Sequence, residues 1–494
     1  MAGVRGSDGG NFGATYAGFY HDLMELRVGQ GRTSDAFALL ERSRSRGLVA
    51  MLAERDLVFA DVPSDLERER RQADGEYDRT LAALGRLDGT ADRGRAEELG
   101  LKLAELRARR AQVAHSLREA APHLAALRYP EPLDIKAAAA ALPPGALLLA
   151  YSVGEKGTLL FAVPADGGVA PAVFTLPLGD EALRARIAAF RGLIERGRHR
   201  AELDDALLVQ GARLRTDLLG PAESLVRRAT RLVIVPDGPL HTLPFAALVE
   251  SRTPPSFLAE RLPLHTVLSA TLYDQLRRLP RPPRRGPVLV AFGDAPRPDA
   301  GGAAAPGALP FTRDEVERIA RVFDPEARRR LGADATEEGA KQLGPGPRYI
   351  HFASHAVLDR RVPLDSGLLL GSTSTAGTPA ENGLLQAWEI FERLRIDADL
   401  VTLSACDTGL GRERAGEGLV GLSRAFQYAG ARAVLASLWA VADRSTPGLM
   451  EAFYRALKEG KPRDEALRQA QVQMIRAGAH PFHWAAFQIS GDGN

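Results

Sequence analysis

The chain has 494 residues, 45% of them hydrophobic, with 64 basic and 62 acidic side chains and a net charge of +2. That length suits two to four domains, and the charge balance argues against direct nucleic-acid binding. No run approaches 18 apolar residues, so no membrane span is expected. The single cysteine excludes an intrachain disulfide framework or thiolate zinc cluster and fits a reducing, cytoplasmic setting.

Residues 1–11 are Gly-rich and polar and lack the apolar core of a secretory leader, so a disordered tail is expected there. Residues 12–61 carry a helical hairpin. Apolar positions at helical spacing, Tyr16–Met24 and Ser34–Glu41, flank a turn at Gly29-Gln30-Gly31-Arg32. The hairpin resembles one tetratricopeptide (TPR) unit, with Tyr20 and Ala36 near the motif positions. One such unit cannot bury both its faces, so it must pack on the rest of the chain or on a partner.

Residues 62–133 form a charged segment and its linker. One apolar stripe runs through Leu66, Ala73, Tyr77, Leu81 and Leu84, and a second through Leu99, Leu103, Leu106, Val113 and Leu117. With Gly85, Gly89 and Gly94 between them, the stripes predict a long antiparallel helical hairpin, closed by Pro122 and Tyr129-Pro130-Glu131-Pro132.

From residue 134 onward, strands and helices alternate. Apolar runs predict strands at Leu147–Ser152, Thr158–Val163, Arg231–Val235, Val288–Phe292, Tyr349–Ala353, Asp399–Ser404 and Ala433–Leu438. Helices are expected at Ser269–Leu279, Phe311–Val322, Glu417–Ala429 and Pro447–Lys458. Continuous apolar strands between helices predict an α/β domain with a mainly parallel sheet flanked by helices. The stretches 278–287, 295–309 and 371–382 have loop composition and are expected to be flexible surface excursions.

Two strand-like runs end on reactive residues. Tyr349-Ile350-His351-Phe352-Ala353-Ser354-His355-Ala356 ends near a histidine, and Leu400-Val401-Thr402-Leu403-Ser404-Ala405-Cys406 near the lone cysteine. A histidine about fifty residues before a cysteine is the caspase-type order. Reactive groups in parallel α/β folds collect at the carboxyl ends of strands. An imidazole can take the proton from a thiol of pKa about 8.5 and generate a nucleophile for acyl transfer. The backbone amides of Ala356 and Cys406 are the expected donors to the resulting oxyanion. The bland alternative is a buried structural thiol; the strand-end context, the glycines that follow and the upstream histidine favour the nucleophile.

Other chemistries have no support. His351 and His355 are four apart, but on a strand that separates them by about 13 Å, so no metal site is expected. His351 is expected as a core or orienting residue. His241, His480 and His483 are expected as structural hydrogen-bonders, and Asp237 as a turn residue. There is no phosphate loop, no GxSxG elbow and no CxxC, and no cofactor is expected. The glycines between 409 and 421 read as a mobile loop opening a helix beside the site.

Several motifs together resemble the CHAT domain, a caspase-like peptidase domain of bacteria often found behind TPR repeats. They are Val233-Ile234-Val235-Pro236-Asp237-Gly238-Pro239-Leu240-His241-Thr242-Leu243-Pro244-Phe245, Ser354-His355-Ala356, Leu403-Ser404-Ala405-Cys406-Asp407-Thr408-Gly409-Leu410-Gly411, Ala425-Phe426-Gln427-Tyr428-Ala429-Gly430-Ala431, Ala436-Ser437-Leu438-Trp439 and His480-Pro481-Phe482-His483-Trp484. The resemblance spans nearly all of 134–494. It implies a caspase-hemoglobinase-like fold with a degenerate first half, 134–286, and a catalytic second half, 287–494. It implies a His355–Cys406 dyad, a regulated cysteine endopeptidase acting on a protein substrate, and a protein activator or sensor, in defence or stress signalling. The chain departs from the pattern by keeping about one TPR unit and by having Ala356 where many relatives have Gly. The alternatives are a catalytically silent scaffold, with the charged hairpin as docking arm, and a thiol-dependent acyl transferase or amidase. Asp365 and Asp407 are candidate pocket residues, with a weak lean away from aspartate-directed cleavage. Oligomeric state is not legible from the residues.

Overall fold

The structure, a computed structural model, describes residues 8–53, scattered positions between 65 and 80, and residues 93–120, 132–165, 168–199, 202–278, 286–296, 311–359, 363–372, 382–407, 415–441 and 444–494. Within these, the side chains of 8–17, 45–53, 405–407 and 415–420, and some in 93–120, fall outside the description. The three loop stretches above and the 409–414 glycine segment lie largely or wholly outside it. The chain divides into Met1–Glu54 with Pro132–Asn494, and Arg55–Glu131.

In the 55–131 unit, the helix Arg93–Ala120 buries Leu99, Leu103, Leu106 and Val113 on one stripe. Ala73 is buried as well, and Arg109 lies 3.9 Å from Glu69 and 3.7 Å from Glu76. The helix already includes Gly94, which the sequence reading had put between the stripes. Tyr77, Leu81, Leu84, Gly85, Gly89 and Leu117 lie outside the description.

The larger unit is built on one sheet. Its strands are β1 (Ala146–Val153), β2 (Thr158–Pro164), β3 (Ala172–Leu176), β4 (Arg231–Val235), β7 (Leu264–Thr266), β8 (Leu289–Gly293), β9 (Ala327–Leu331), β10 (Tyr349–Val357), β11 (Gly367–Leu369), β12 (Leu384–Gln386), β13 (Leu400–Asp407), β14 (Ala433–Ser437) and β15 (Phe487–Gly491). The spatial order is β12-β11-β10-β13-β14-β15-β7-β4-β1-β2-β3, with β8 and β9 joined beside β10. β5 (Val249–Arg252) and β6 (Pro255–Phe257) form a separate ribbon. Strands β9, β8, β10, β13 and β14 are mutually parallel, as are β15, β7, β4 and β1. The antiparallel β14–β15 pair joins the two halves. The architecture is the expected α/β one, a mainly parallel sheet flanked by helices and preceded by a helical region.

Alternation along buried strands divides the core. Leu147, Leu149 and Tyr151 of β1 join Leu232 and Ile234 of β4 and the helices Asp180–Arg196 and Asp205–Leu219 on one face. Leu148 and Ala150, with Val233 and Val235, face the opposite cluster of Ile135, Ala138, Tyr273, Met24, Phe37 and Leu40. The TPR-like hairpin is thus part of the same core. Its helices are Asp8–Gly29 and Thr33–Ala53, joined through Gly31 at φ 73°. The first helix begins at Asp8, inside the segment expected to be a disordered tail.

Polar contacts fix the hairpin's register on the sheet. Phe37 meets Phe161 edge to face with centroids 5.9 Å apart. His21 Nδ1 lies 2.9 Å from Ser152 Oγ. The fully buried Glu41 carboxylate accepts from Ala270 N (3.1 Å), Thr271 N (2.8 Å) and Thr271 Oγ1 (2.5 Å) at the start of the helix Ala270–Arg278. Burial raises its carboxyl above the usual range, against the pull of these Thr271 and Ala270 donors and of Arg44.

Close approach dictates the glycine that leads into β14. After the helix Ala415–Tyr428, Gly430 turns the chain into β14 at φ 113°, and a Cβ there would sit 1.9 Å from the Ile396 carbonyl oxygen. Any other residue would have to push that backbone away.

Candidate functional site

β10 and β13 run parallel in continuous register from Tyr349↔Leu400 to Ala356↔Asp407. His355 is the register partner of Cys406. Register partners on adjacent strands are about 4.8 Å apart along the hydrogen-bonding direction and lie on the same face. Both positions are within three residues of their strands' carboxyl ends. The strands form because Tyr349–Ala356 and Leu400–Leu403 are rich in apolar and β-branched residues buried on both faces.

A buried polar chain lies below this pair on the same face. His351, two alternations before His355, has its Nδ1 3.2 Å from the Tyr454 hydroxyl. That hydroxyl lies 2.8 Å from Thr402 Oγ1, and Thr402 is the register partner of His351. On the other side, His351 Nε2 is 3.0 Å from Glu315 Oε1, close in distance but not aligned as a hydrogen bond. Tyr454 belongs to the helix Thr446–Lys458 and Glu315 to the helix Thr312–Phe323. The chain therefore pins two helices to the two strands that carry His355 and Cys406. Burial holds the Tyr454 phenol well above its ordinary range, with Thr402 opposing and Glu315 adding to the shift. His351 is thus a core residue, one of the two places expected for it. Glu315, Thr402 and Tyr454 were not legible, because nothing local links three elements so far apart in sequence.

The other sequence-predicted residues have definite places. Ala356 lies inside paired β structure, opposite Leu368 of β11 as well as Asp407 of β13. Asp365 ends the short turn Pro363–Asp365 that leads into β11, and its carbonyl accepts from Gln386 Nε2 at 3.0 Å. Because Gly367 pairs with Val357, this turn lies just past the end of β10. Asp407 is placed by its backbone alone. His480 accepts from Phe482 N at 3.2 Å, and His483 Nδ1 is 3.1 Å from Ser445 Oγ, as structural histidines do. No group of three or more His, Cys, Asp or Glu suited to a metal ion is found among the described residues.

Two expectations need correction. Asp237, read as a turn residue, does precede the turn Gly238–Thr242, but its carboxylate is the anchor for Arg44 of the TPR-like hairpin. Arg44 Nη1 donates to Asp237 Oδ1 at 2.6 Å, Arg44 Nη2 donates to the Tyr151 carbonyl at 2.5 Å, and Val153 N donates to Asp237 Oδ2 at 2.7 Å. Burial would raise this carboxyl, but the charge and hydrogen bond of Arg44 outweigh it and hold it below its usual value. His241, read as a hydrogen-bonder, makes no ring hydrogen bond among the described residues. Burial, then Arg424, then Arg44 push its pKa down to about 4, against a smaller pull from Asp237.

The fold and the paired strands define an α/β protein with an imidazole and a thiol on register-matched strand ends. The CHAT domain family matches residues 208–492, more than half of the chain, and the chain belongs to that family. Tetratricopeptide repeat protein 28 of Mus musculus is 29% identical over 303 residues, covering 54% of this chain and 12% of its own length. The Homo sapiens protein of the same name is 28% identical over 303 residues, with the same coverage. The chain thus spans about an eighth of the length of these curated relatives. Among solved structures, the Saccharomyces cerevisiae separase–securin complex is similar with a TM-score of 0.48 and 11% identity, covering 93% of this chain and 40% of that one. The Arg-specific cysteine proteinase gingipain R is similar with a TM-score of 0.33 and 8% identity, covering 64% and 74%. At these scores the likeness carries no argument about reaction or substrate. No helix among the described residues is long and apolar enough to cross a membrane.

Proposed function

We propose that the chain is a regulated cysteine endopeptidase in which His355 is the general base and Cys406 the nucleophile. The observation that carries this reading is the register of His355 with Cys406 at the ends of adjacent parallel strands. His355 takes the thiol proton, and the thiolate attacks the scissile carbonyl carbon. The oxyanion of the tetrahedral intermediate is held by backbone N–H donors, with Ala356 and Cys406 as candidates. The imidazolium returns its proton to the leaving amine, and water then hydrolyses the thioester with His355 again as base. Both candidate donors sit inside paired strands. Activation by a protein partner is part of this proposal. A role for Asp365 and Asp407 in selecting a basic side chain also belongs to it. A role in defence or stress signalling within the cell completes the reading.

The alternative is a CHAT-fold scaffold without turnover, favoured by the repeat-protein name of the matched relatives. The test compares new protein N-termini in cells expressing the wild type and the Cys406→Ala protein. Peptide bonds cut only when Cys406 is present uphold the peptidase. A Cys406→Ala protein that retains full biological function, with no Cys406-dependent cut, leaves the scaffold.

A further inference from the structure

Three segments bring basic groups together at the turn Gly238–Thr242. Arg44 comes from the TPR-like hairpin, His241 from the turn Gly238–Thr242, and Arg424 from the helix Ala415–Tyr428, which packs on that turn. The described acidic groups there are engaged, Asp180 by Arg184 among them. Asp237 accepts from Arg44 on one oxygen and from Val153 N on the other. Glu41 is held by Ala270 and Thr271. Arg424 is only partly exposed, and no hydrogen bond or ion pair engages it among the described residues. The Nε atoms of Arg424 and Arg44 are both buried without a hydrogen-bond partner.

Asp237 neutralises Arg44, but no described residue supplies a counter-charge to Arg424, and a guanidinium partly removed from water beside a second one is unfavourable unless something does. Burial and the Arg44 charge lower the Arg424 pKa to about 10, and burial, then Arg424 and Arg44, lower that of His241 to about 4. Buried donors without acceptors are uncommon and call for an occupant. A guanidinium is a planar fork that suits two oxygens of one acid group.

We propose that Arg424, Arg44 and His241 form a binding site for an oxyanion, a phosphate or carboxylate group that accepts from the unused guanidinium donors. Its occupant would join the hairpin, the 238–242 turn and the helix that follows the Cys406 strand. This site stands independently of the peptidase reading, since it requires no turnover.

The test uses the full chain with inorganic phosphate, acetate and chloride at matched ionic strength. Phosphate should raise the unfolding temperature by about 2 °C or more at concentrations a hundredfold above its Kd. The rise should be lost in Arg424→Gln and weakened in Arg424→Lys, which keeps the charge but not the fork. The His241 ring resonances of the wild type should shift with the same phosphate dependence, a readout that holds if the Gln variant does not fold. A response to phosphate alone assigns a phosphoryl ligand, and an equal response to acetate assigns a carboxylate; both uphold the site. Absence of any phosphate or acetate effect beyond chloride, or the same effect in Arg424→Gln, overturns it. So would His241 resonances indifferent to both anions.

Discussion

His355 and Cys406 are register partners on one parallel strand pair. Register fixes side-chain face as well as separation. A slip of one residue would send one of the two to the opposite face of the sheet.

The first prediction follows from that pairing. The rate of Cys406 alkylation against pH should give a thiol pKa below about 8.5 in the wild type and a higher value in His355→Ala. Since Cys406 is the chain's one cysteine, no other thiol contributes to the signal. Identical profiles for the two proteins would remove the imidazole from the mechanism.

The second concerns the bolt beneath the pair. Tyr454→Phe keeps the ring but deletes the hydroxyl shared by His351 and Thr402. Two buried polar groups then lose a partner, at a cost of about 1–3 kcal/mol. Denaturant unfolding should show a lower midpoint with an unchanged slope. A midpoint within error of the wild type would mean that the hydroxyl contributes no net stability.

Glu41 supplies the third. Glu41→Ala leaves the Ala270 and Thr271 amides and the Thr271 hydroxyl without their buried acceptor, a loss of about 2–4 kcal/mol. Amide exchange should quicken across residues 18–44 more than in β10 or β13. Uniform acceleration through the chain would instead show that the hairpin and sheet open as one unit.

His241 gives a pH signature. Its folded pKa is depressed to about 4, while the unfolded chain titrates near 6.5. Between those values the unfolded state binds more protons, so stability is complete above about pH 6.5 and is lost as pH falls toward 4. The loss should be about 2–3 kcal/mol. His241→Gln should flatten the fall in unfolding temperature over that window. In Arg424→Gln the His241 pKa, followed by NMR, should move upward.

Much of this protein is written locally. The strands β1, β4, β10 and β13 are legible because each is a short apolar run buried on both faces. The helix Thr312–Phe323 is equally plain, because Val316, Ile319, Ala320 and Phe323 recur at helical spacing. Short strands such as β7, β11 and β12, with three residues each, carry no periodic signal and exist only because a neighbour pairs with them.

The sequence by itself determined the alternation of strands and helices and the family motifs, and it marked His355 and Cys406 as candidates because each ends its own strand-like run, a signal that lies within a few positions of each residue. Tertiary structure alone decided what the TPR-like hairpin packs on. It also revealed Glu315 and Tyr454 beneath the dyad strands, brought Arg44 to Asp237 and packed the helix of Arg424 on the turn that carries His241. Those groups lie on separate elements of the chain. A buried charge or hydroxyl takes its role from whichever distant group reaches it, and local sequence pattern does not encode that distance.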